Sequence, residues 1–544
     1  MTKPSDTEND AESSAENNTQ NNTQSNNSAA AGETPADDHV SMRTWFTVWG
    51  SVVGAFIAVL NIMITNASLK EIQGALSATL HEGSFISTSY LTAEVIVIPL
   101  TGWLVQIYGL RRFMLSVSVI FIFATVACAL AWNLESMLVF RAIAGFAGGT
   151  FIPLSFTCIL TLLPPSKHAL GIAMFSLTAT QAPAVGPALG GYLTETFGWQ
   201  SIFYMQIFPT FLMFGILWWG LAKSKGDRSL LRTGDWTGII MLSIALGAMI
   251  IVLEEGNRLD WLESREIVFG AILAGACFLV FLYRQLWSDN YFINVRLFKR
   301  WNFSVANLLG VILGVGLYGT IFITPLYLAQ IHDYNAWQNG VTMMWFGFPQ
   351  LFVVPLLVRL MKVIDPRYLM AFGCAVFSMS CFINIDMSAE DAYDQLRLAN
   401  FIRGFGQPFF SIPLAVMATA GIEPAEASSA SGLYNLTRNL GGAVGIAFLA
   451  TFLSLRQQFH SSHIVENISL YASSTIERLQ SLESHFMAMG ADSVLAQERA
   501  LRVIDAVARR ESYVMAYNDA FFLVGVALLI GVGLSFTFKK PQGN

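Results

Sequence analysis

The stretch Pro183-Ala184-Val185-Gly186-Pro187-Ala188-Leu189-Gly190-Gly191 lies inside a long apolar run, and part of it recurs in the second half of the chain. Ala184-Val185-Gly186 returns 259 residues later as Ala443-Val444-Gly445. Each copy follows an arginine that is itself embedded in an apolar run, Arg141 in the first half and Arg403 in the second. Many membrane transporters consist of two related halves that carry buried charge. The repeat therefore predicts a membrane protein built from two related halves.

The composition also indicates a membrane protein. Of the 544 residues, 54% are hydrophobic and only 12% are charged, and the mean hydropathy is +0.52, far outside the range of soluble globular proteins. The net charge of −6 comes from residues 1–40, which hold eight acidic side chains and one lysine. We expect this segment to be a disordered cytoplasmic tail, because it has no apolar face to bury. Nothing in the chain supports nucleic-acid binding.

The sequence predicts no cofactor, no metal site and no enzymatic activity. The five cysteines all fall within apolar runs, where cysteine behaves as a small hydrophobic residue. The seven histidines are scattered over the tail, the loops and the ends of apolar runs. The chain also lacks the Gly-x-x-x-x-Gly-Lys-Ser/Thr motif that cradles ATP phosphates.

Fourteen apolar runs are long enough to span a bilayer, which takes about 20 residues. We predict spans at 45–66, 84–107, 113–132, 137–160, 168–193, 200–222, 236–255, 265–285, 303–327, 338–361, 368–386, 395–419, 430–454 and 515–537. The repeat aligns spans 4 and 5 with spans 12 and 13. We therefore predict an all-α integral membrane protein of two six-helix bundles, 45–222 and 303–537, with an inserted pair of helices at 236–285.

Basic residues predict the orientation, because cytoplasmic loops carry an excess of lysine and arginine. With the N-terminus in the cytoplasm, sixteen of these residues fall in inner loops and span ends and only four fall in the short outer ones. The even number of spans then places both termini in the cytoplasm.

One predicted outer loop, 455–514, is much longer than the others. It contains the segments 476–483 and 500–507, which both have apolar residues at helical spacing. An amphipathic hairpin folded onto the protein or the membrane surface fits this pattern. A docking element for a partner outside the cytoplasm fits it as well.

Several motifs resemble the major facilitator superfamily, and more narrowly its fourteen-helix drug:proton antiporters of the EmrB/QacA type. The resemblance extends from Trp45 to Phe538, and the long loop is similar to that of the EmrB-like exporters. It implies proton-coupled export of small amphipathic toxic compounds across the bacterial inner membrane, with a periplasmic adaptor and an outer-membrane channel as partners. The motifs that carry it are Arg141, Gly145, Gly148 and Gly149 in span 4, the quoted stretch in span 5, Pro99-Leu100-Thr101-Gly102-Trp103-Leu104 in span 2 and Arg438-Asn439-Leu440-Gly441-Gly442 in span 13.

A Gly-Pro motif in span 5 is the first candidate site. Pro187 has no N–H to give to its helix, while Gly186 and Gly190 let another helix backbone approach closely. In the antiporters that the chain resembles, this motif seals the interface between the bundles and distinguishes exporters from importers; here it consists of Pro183, Gly186, Pro187, Gly190 and Gly191. A packing groove without a gating role also explains the residues, so both interpretations stay open.

Proton coupling is expected at a buried acid near Arg141, which the resemblance links to proton transfer. Arg141 lies about four residues inside predicted span 4, so its charge is either buried or snorkels to the surface. Related antiporters carry an acid in the first span where this chain has Asn61, and an amide exchanges no proton. Glu94, near the middle of span 2, is the remaining titratable candidate. A purely structural Glu94 is the competing interpretation.

The loop between spans 2 and 3 matches the cytoplasmic gate of the family only in part. Its candidate residues are Gly102, Gly109, Arg111 and Arg112, but Gln106 stands where the family has an aspartate. The charge clasp that the resemblance implies is therefore incomplete. Arg111 and Arg112 also fit a simpler role as basic residues that fix the topology.

The second half supplies two more deep charges, Arg403 in span 12 and Arg438 in span 13. We expect both, together with Asn61, to face a central substrate cavity. Two deep cations favour an anionic or amphipathic substrate. The twenty methionines and the aromatic content of 13% suit an adaptable apolar cavity, although both are also ordinary for membrane helices.

Three functions remain in competition. The leading one is a secondary active multidrug exporter driven by proton influx and working in a tripartite efflux system. The second is a facilitator or transporter of a specific metabolite with the same fold and no or different ion coupling; the Gly-Pro motif opposes it and Asn61 keeps it open. The third, an intramembrane enzyme or a receptor, is disfavoured by the scattered histidines.

Overall fold

The protein is described by a computed structural model over residues 40–287, 292–422, 426–468 and 472–539. The chain divides into two units, Met1–Met42 and Arg43–Asn544. The predicted tail at 1–40 lies almost wholly outside the described residues. All the packing discussed below belongs to the second unit.

A helix occupies each of the fourteen predicted span positions, and we number these helices α1 to α14. Their bounds are Met42–Ala67, Leu80–Tyr108, Leu110–Ala129, Leu134–Leu162, Pro165–Phe197, Ser201–Gly220, Trp236–Gly256, Arg265–Trp287, Trp301–His332, Ala336–Gly347 with Gln350–Leu360, Pro366–Phe382, Tyr393–Thr419, Ala427–Asn467 and Ser493–Ser535. Short helices lie between them at Leu69–Ala75, Leu230–Thr233 and Ser473–Ala488. The predicted all-α membrane fold is confirmed.

Twelve of the helices in the described part of the chain are long and apolar enough to cross a membrane. The other two are α11, which has only 17 residues, and α12, which carries Arg397 and Arg403 together with two prolines. The number of fourteen spans therefore stays a prediction. The break in α10 falls at Phe348-Pro349, because proline removes a hydrogen bond from the helix ladder.

Each bundle contains a close helix contact at a glycine, and the contact in one bundle recurs in the other. An added Cβ at Gly186 of α5 would lie 2.5 Å from Cβ of Met63 in α1, and one at Gly445 of α13 would lie 2.9 Å from Cα of Val315 in α9. Helix backbones approach this closely only where a side chain is missing. The span 5 motif thus lies at a close helix contact, and its repeat in the second half packs in the same way.

A second pair of glycines joins the arginine-bearing helices to their neighbours. An added Cβ at Gly145 of α4 would lie 2.3 Å from the carbonyl oxygen of Tyr90 in α2. An added Cβ at the related Gly404 of α12 would lie 2.1 Å from the carbonyl oxygen of Phe346 in α10. The internal repeat of the sequence is therefore a repeat of helix packing.

The inserted pair, α7 and α8, lies against both bundles. One apolar cluster contains Ile98 of α2, Leu246 of α7 and Leu433 of α13. At one end of α7, the Ser84 hydroxyl donates to the Glu255 carboxylate at 3.4 Å. The turn after α7 is tied to α13, since the Trp261 indole N–H donates to the Thr451 hydroxyl at 2.9 Å.

The segment predicted as the long loop 455–514 is mostly helical where it is described. Helix α13 continues to Asn467, the short helix Ser473–Ala488 follows, and α14 begins at Ser493. At its base, Asp519 of α14 accepts hydrogen bonds from Arg456 at 2.5 Å and His460 at 2.7 Å. The predicted amphipathic hairpin is therefore an extension of two membrane helices with a third helix between them.

A substitution at Gly145 tests the packing repeat. Gly145→Val places a branched side chain against the backbone of α2, and overpacking of this kind costs ~1–3 kcal/mol. We expect a clear drop in the melting temperature of the purified protein in detergent. Gly215→Val is the matched control, because nothing lies within 4 Å of an added Cβ there. Equal melting of the two variants would contradict the packing described.

Candidate functional site

Arg141 is buried at the centre of the N-terminal bundle. Its side chain is 0% exposed, and its guanidinium is directed at α1 and α2 instead of snorkelling to a surface. Nη1 donates to the Asn61 side-chain oxygen, and Nε donates to the backbone oxygen of Ile86 at 3.2 Å. The guanidinium also stacks over the Tyr90 ring, 4.4 Å from its centroid.

Asn61 extends this hydrogen-bond network to a fourth helix, α6. Its amide nitrogen donates to the Gln206 side-chain oxygen of α6 at 2.7 Å, and both side chains are 0% exposed. An aspartate here would form an ion pair with Arg141, whereas the amide supplies one acceptor and one donor. Asn61 is thus part of a buried polar core and is not among the residues that line the central cavity.

Glu94 lies one helical turn beyond Tyr90 and is 4% exposed. Its position is set by Gly149 of α4, where an added Cβ would lie 2.8 Å from the Glu94 Cα. One carboxyl oxygen, Oε2, has no hydrogen-bond partner among the described residues. The group lies within electrostatic range of Arg141 in its own bundle and Arg438 in the other. Glu94 is therefore influenced by one arginine from each half.

A central cavity lies where the two bundles meet. Its lining comes from α1, α4 and α5 on one side and α9, α12 and α13 on the other: Ala55, Val59, Ile152, Phe175, Ser176, Thr180, Leu313, Leu317, Tyr318, Gln407, Ser411 and Arg438. Its volume is about 20 Å³, room for roughly one water molecule. The bundles are therefore closed around the cavity in this structure, and a larger ligand requires them to separate.

Among the described residues that line this cavity, Arg438 is the only one with a charged side chain. It is 9% exposed, and its Nε has no hydrogen-bond partner within the described ranges. Tyr318, on the facing helix α9, packs beside it, and its ring lies 2.3 Å from the Cβ position of Gly442. A cation with an unused donor in a largely apolar pocket suits the anionic or polar end of an amphipathic molecule.

Arg403, the other predicted cavity residue, does not line this cavity. It is 1% exposed and bonds Asn400 at 3.0 Å and Thr324 of α9 at 3.4 Å. Its guanidinium lies 5.9 Å from the centroid of the Phe521 ring in α14. Arg403 is thus buried inside the second bundle, as Arg141 is inside the first. The two positions are not equivalent, because the 259-residue offset that relates Gly145 to Gly404 pairs Arg141 with Asn400.

The Gly-Pro motif of α5 contacts helices of both bundles. Gly190 faces α1, with its Cβ position 3.0 Å from the Ile64 oxygen, whereas the Cβ position of Gly191 lies 2.8 Å from the Ala336 Cβ in α10. Pro183 and Pro187 lie within a helix that continues from residue 165 to 197. The structure therefore places the motif at the boundary between the bundles.

The loop between α2 and α3 is held by the segment that follows α6. Gly109 has φ +80°, a conformation that favours glycine. The Asp227 backbone N–H donates to the backbone oxygen of Gln106 at 2.9 Å. Arg111 bonds the Trp218 oxygen at 2.8 Å. Arg112 is exposed and Gly102 is half-buried in α2. Backbone contacts thus hold the loop where the family pattern has an acid.

Several cavity residues carry no signal in the sequence. The cavity is lined by the polar residues Ser176, Thr180, Tyr318, Gln407 and Ser411. Of the site residues predicted from the sequence, only Arg438 lines the cavity within the described part of the chain. Hydroxyl and amide side chains are common in membrane helices, where they bond to their own backbone. Only the packing of the two bundles selects those that face the cavity.

Comparison with known proteins confirms the predicted resemblance. The model of the Major Facilitator Superfamily matches residues 52–446. The colistin resistance protein EmrB of Acinetobacter baumannii is 29% identical over 92% of this chain and 97% of its own. The multidrug export protein EmrB of Escherichia coli K12 is 28% identical, over 90% and 94%. The fatty acid resistance protein FarB of Neisseria gonorrhoeae is 26% identical, over 90% and 95%.

Solved structures share the fold. The proton:xylose symporter XylE aligns with a TM-score of 0.58 at 11% identity, over 92% of this chain and 96% of XylE. The human organic anion transporter MFSD10 aligns with a TM-score of 0.52 at 13% identity, over 89% and 99%. At such identities the likeness concerns the fold alone.

A double substitution tests the buried network. Asn61→Leu leaves the Arg141 guanidinium without its side-chain acceptor, and a hydrogen bond to a charged group contributes about 1.5–3 kcal/mol. We expect a lower melting temperature for Asn61→Leu. Adding Arg141→Met, which removes the unpaired charge and keeps an apolar chain of similar length, should restore most of the loss. Additive losses in the double variant would show that the two side chains do not interact.

Proposed function

The chain belongs to the Major Facilitator Superfamily, and we propose that it exports small amphipathic compounds across a bacterial inner membrane. It is a multi-pass membrane protein of a transporter family. The proposal is supported by similarity over nearly the whole chain to proteins named for multidrug export and for resistance to colistin and fatty acids. We place both termini in the cytoplasm on the distribution of lysine and arginine.

The cavity between the bundles is the proposed substrate site. It is bordered by helices of both halves, so that movement of one bundle against the other exposes it to either side in turn. Its lining is apolar apart from Arg438 and a few hydroxyl and amide groups. We therefore propose that anionic and neutral amphipathic compounds are accepted in preference to cations.

Glu94 is the proposed proton carrier, with Arg141 as its regulator. A carboxyl group with one unpaired oxygen, in a site nearly closed to solvent, is costly to keep charged. The guanidinium groups of Arg141 and Arg438 lower that cost, since both lie within electrostatic range. A change in either contact as the bundles move would change the charge state of Glu94, which is what coupling to protons requires.

Transport by inverted membrane vesicles tests the export function. Uptake of anionic, neutral and cationic amphipathic compounds is measured with an imposed proton gradient, with and without a protonophore. We expect uptake of anionic and neutral compounds that the protonophore abolishes. Uptake of cations alone would contradict the substrate preference, and protonophore-insensitive uptake of every compound would contradict antiport.

Glu94→Gln tests the coupling residue. The substitution keeps the size and hydrogen-bonding capacity of the side chain but removes the titrating group. In the same vesicles, uptake should fall to the level seen with protonophore, while binding of the compounds persists. Glu498→Gln is the control, because Glu498 has a side chain 55% exposed and lies in the helical extension of α14. Proton-dependent uptake by Glu94→Gln would rule out this role.

A facilitator of a specific metabolite is the second candidate. It is favoured by the contact between Asn61 and Arg141, which leaves no titratable group where related antiporters have an acid. Such a protein would equilibrate one compound without a proton gradient and would be unaffected by Glu94→Gln.

The helical extension consists of the described parts of 455–514, that is, the end of α13, the helix Ser473–Ala488 and the start of α14. It is the proposed contact for a periplasmic adaptor, which would connect this protein to an outer-membrane channel. It projects from α13 and α14 and presents exposed apolar side chains such as Val494, Leu501 and Val507. Deleting 462–510 removes it but keeps the base formed by Arg456, His460 and Asp519. We expect the deletion to abolish export from intact cells while vesicle uptake continues. Normal resistance in cells carrying the deletion would contradict the adaptor contact.

A further inference from the structure

Within the described residues, three hydrogen bonds join two turns of α5 to the opposite bundle. The Ser176 hydroxyl bonds the Ser411 hydroxyl of α12 at 3.0 Å, and the Thr180 hydroxyl donates to the Gln350 side-chain oxygen of α10. The Gln181 amide donates to the backbone oxygen of Gly347 at 2.7 Å. These polar contacts cross the interface that has to open for the cavity to admit a ligand.

The backbone acceptor on α10, the Gly347 oxygen, is available because that helix is broken. Pro349 has no N–H, and the Leu351 N–H turns to the Phe348 oxygen at 3.3 Å, one residue short of the usual helical partner. The Gly347 oxygen is then free to accept a hydrogen bond from Gln181. Irregular backbone inside a membrane protein occurs where it is buried in protein or borders a cavity, and here Gly347 and Pro349 are buried.

A seam of small residues continues from this point toward the end of α5. An added Cβ at Gly347 of α10 would lie 2.9 Å from the Cβ of Ala184 in α5, and one at Gly340 would lie 2.3 Å from the Cβ of Ala188. At the far end, Gly191 meets Ala336 at 2.8 Å. Contacts this tight leave no space between α5 and α10, so the seam closes the cavity on this side.

Two of the three hydrogen bonds lie at the cavity wall. Ser176 and Thr180 both line the cavity, and their hydroxyl groups are held by partners in the other bundle. A hydroxyl has one hydrogen to donate, and the Thr180 hydroxyl has the Ser176 and Leu177 backbone oxygens within reach as well, at 3.0 and 3.1 Å. A ligand that accepts the Thr180 hydrogen therefore takes it away from Gln350.

We propose that Thr180, with Gln350 as its partner, is a ligand-sensitive latch that keeps the α5–α10 seam closed while the cavity is empty. A carboxylate or other strong acceptor in the cavity competes for the Thr180 hydroxyl and releases Gln350. The seam then loses one cross-bundle contact and separates more readily. The proposal rests on the cavity being the substrate site, as proposed above. It adds that Thr180 links occupancy of the cavity to opening of the α5–α10 seam.

A disulfide between Gly191→Cys and Ala336→Cys reports the closed seam. The two Cβ positions are 2.8 Å apart in the closed structure, and a small separation brings them to the 3.5–4.5 Å of a disulfide, whereas an open seam does not. The five native cysteines are buried and give little background. The rate of oxidative cross-linking is measured in detergent with no gradient, with dodecanoate or dodecanol as probe.

We expect dodecanoate to slow cross-linking of the cysteine pair by about five-fold, the effect of losing one typical hydrogen bond. Dodecanol, a weaker acceptor, should slow it less. In a Thr180→Val background, which keeps the shape but removes the hydroxyl, cross-linking should be slow from the start and unaffected by dodecanoate. Gln350→Leu should behave in the same way.

Thr178→Val is the matched control for the latch. Thr178 lies on the same helix and is half-buried. Its hydroxyl also reaches backbone oxygens of its own helix, Phe175 at 2.8 Å and Met174 at 3.3 Å, but within the described residues it bonds no group of the other bundle. This variant should cross-link and respond to dodecanoate as the unmodified pair does. Equal rates and equal dodecanoate effects in the Thr178→Val and Thr180→Val backgrounds would overturn the latch.

The outcome is separable from the proposed export function. Without dodecanoate, the rates of the two threonine variants test the latch even if no compound is transported. If vesicles export dodecanoate but the probe leaves cross-linking of the unmodified pair unchanged, the latch is wrong and the exporter stands. Faster cross-linking with dodecanoate would also overturn it, because a ligand would then close the seam.

Discussion

Close approach of helix backbones at glycine is the constraint on which the structure depends. Within a bilayer, apolar side chains gain little by leaving lipid for protein, so helices associate through tight packing and internal polar contacts. Gly145 and Gly404 bring the helices of Arg141 and Arg403 against the second helix of each bundle. Gly186 of α5 and Gly445 of α13 bring the fifth helix of each bundle against the first. The depth of both arginines and the position of Glu94 follow from these contacts.

The two halves use the same packing for different chemistry. Glu94 and Gln350 are related by the same offset that relates Tyr90 to Phe346, so a carboxyl group in one bundle corresponds to an amide in the other. The first half buries Arg141 against Asn61 and carries the titratable group. The second half buries Arg403 internally and supplies Arg438 and the broken helix to the bundle interface. The proposed proton carrier thus lies in the first half, whereas the proposed latch joins Thr180 of the first half to Gln350 of the second.

The bundle interface combines rigid and adaptable elements. On one side, the inserted pair packs into a cluster shared with α2 and α13. On the other, α5 meets α10 through small residues and three hydrogen bonds. The cavity between them is nearly closed, and its opening depends on contacts that are individually weak. Weak contacts at a moving interface allow a bound compound to shift the balance between closed and open forms.

Local features of the sequence determined the helices and their repeat, because the length of an apolar run and the spacing of glycines are properties of the segment itself. They also placed Arg141 and Arg403 inside membrane helices and predicted a close helix approach at the span 5 motif. Only the tertiary structure decided what each side chain meets. It paired Asn61 with Arg141, kept Arg403 away from the cavity, and selected Ser176 and Thr180 from many similar hydroxyl groups. The reason is physical: the partner of a helix face depends on how segments hundreds of residues apart pack together, and no single segment carries that information.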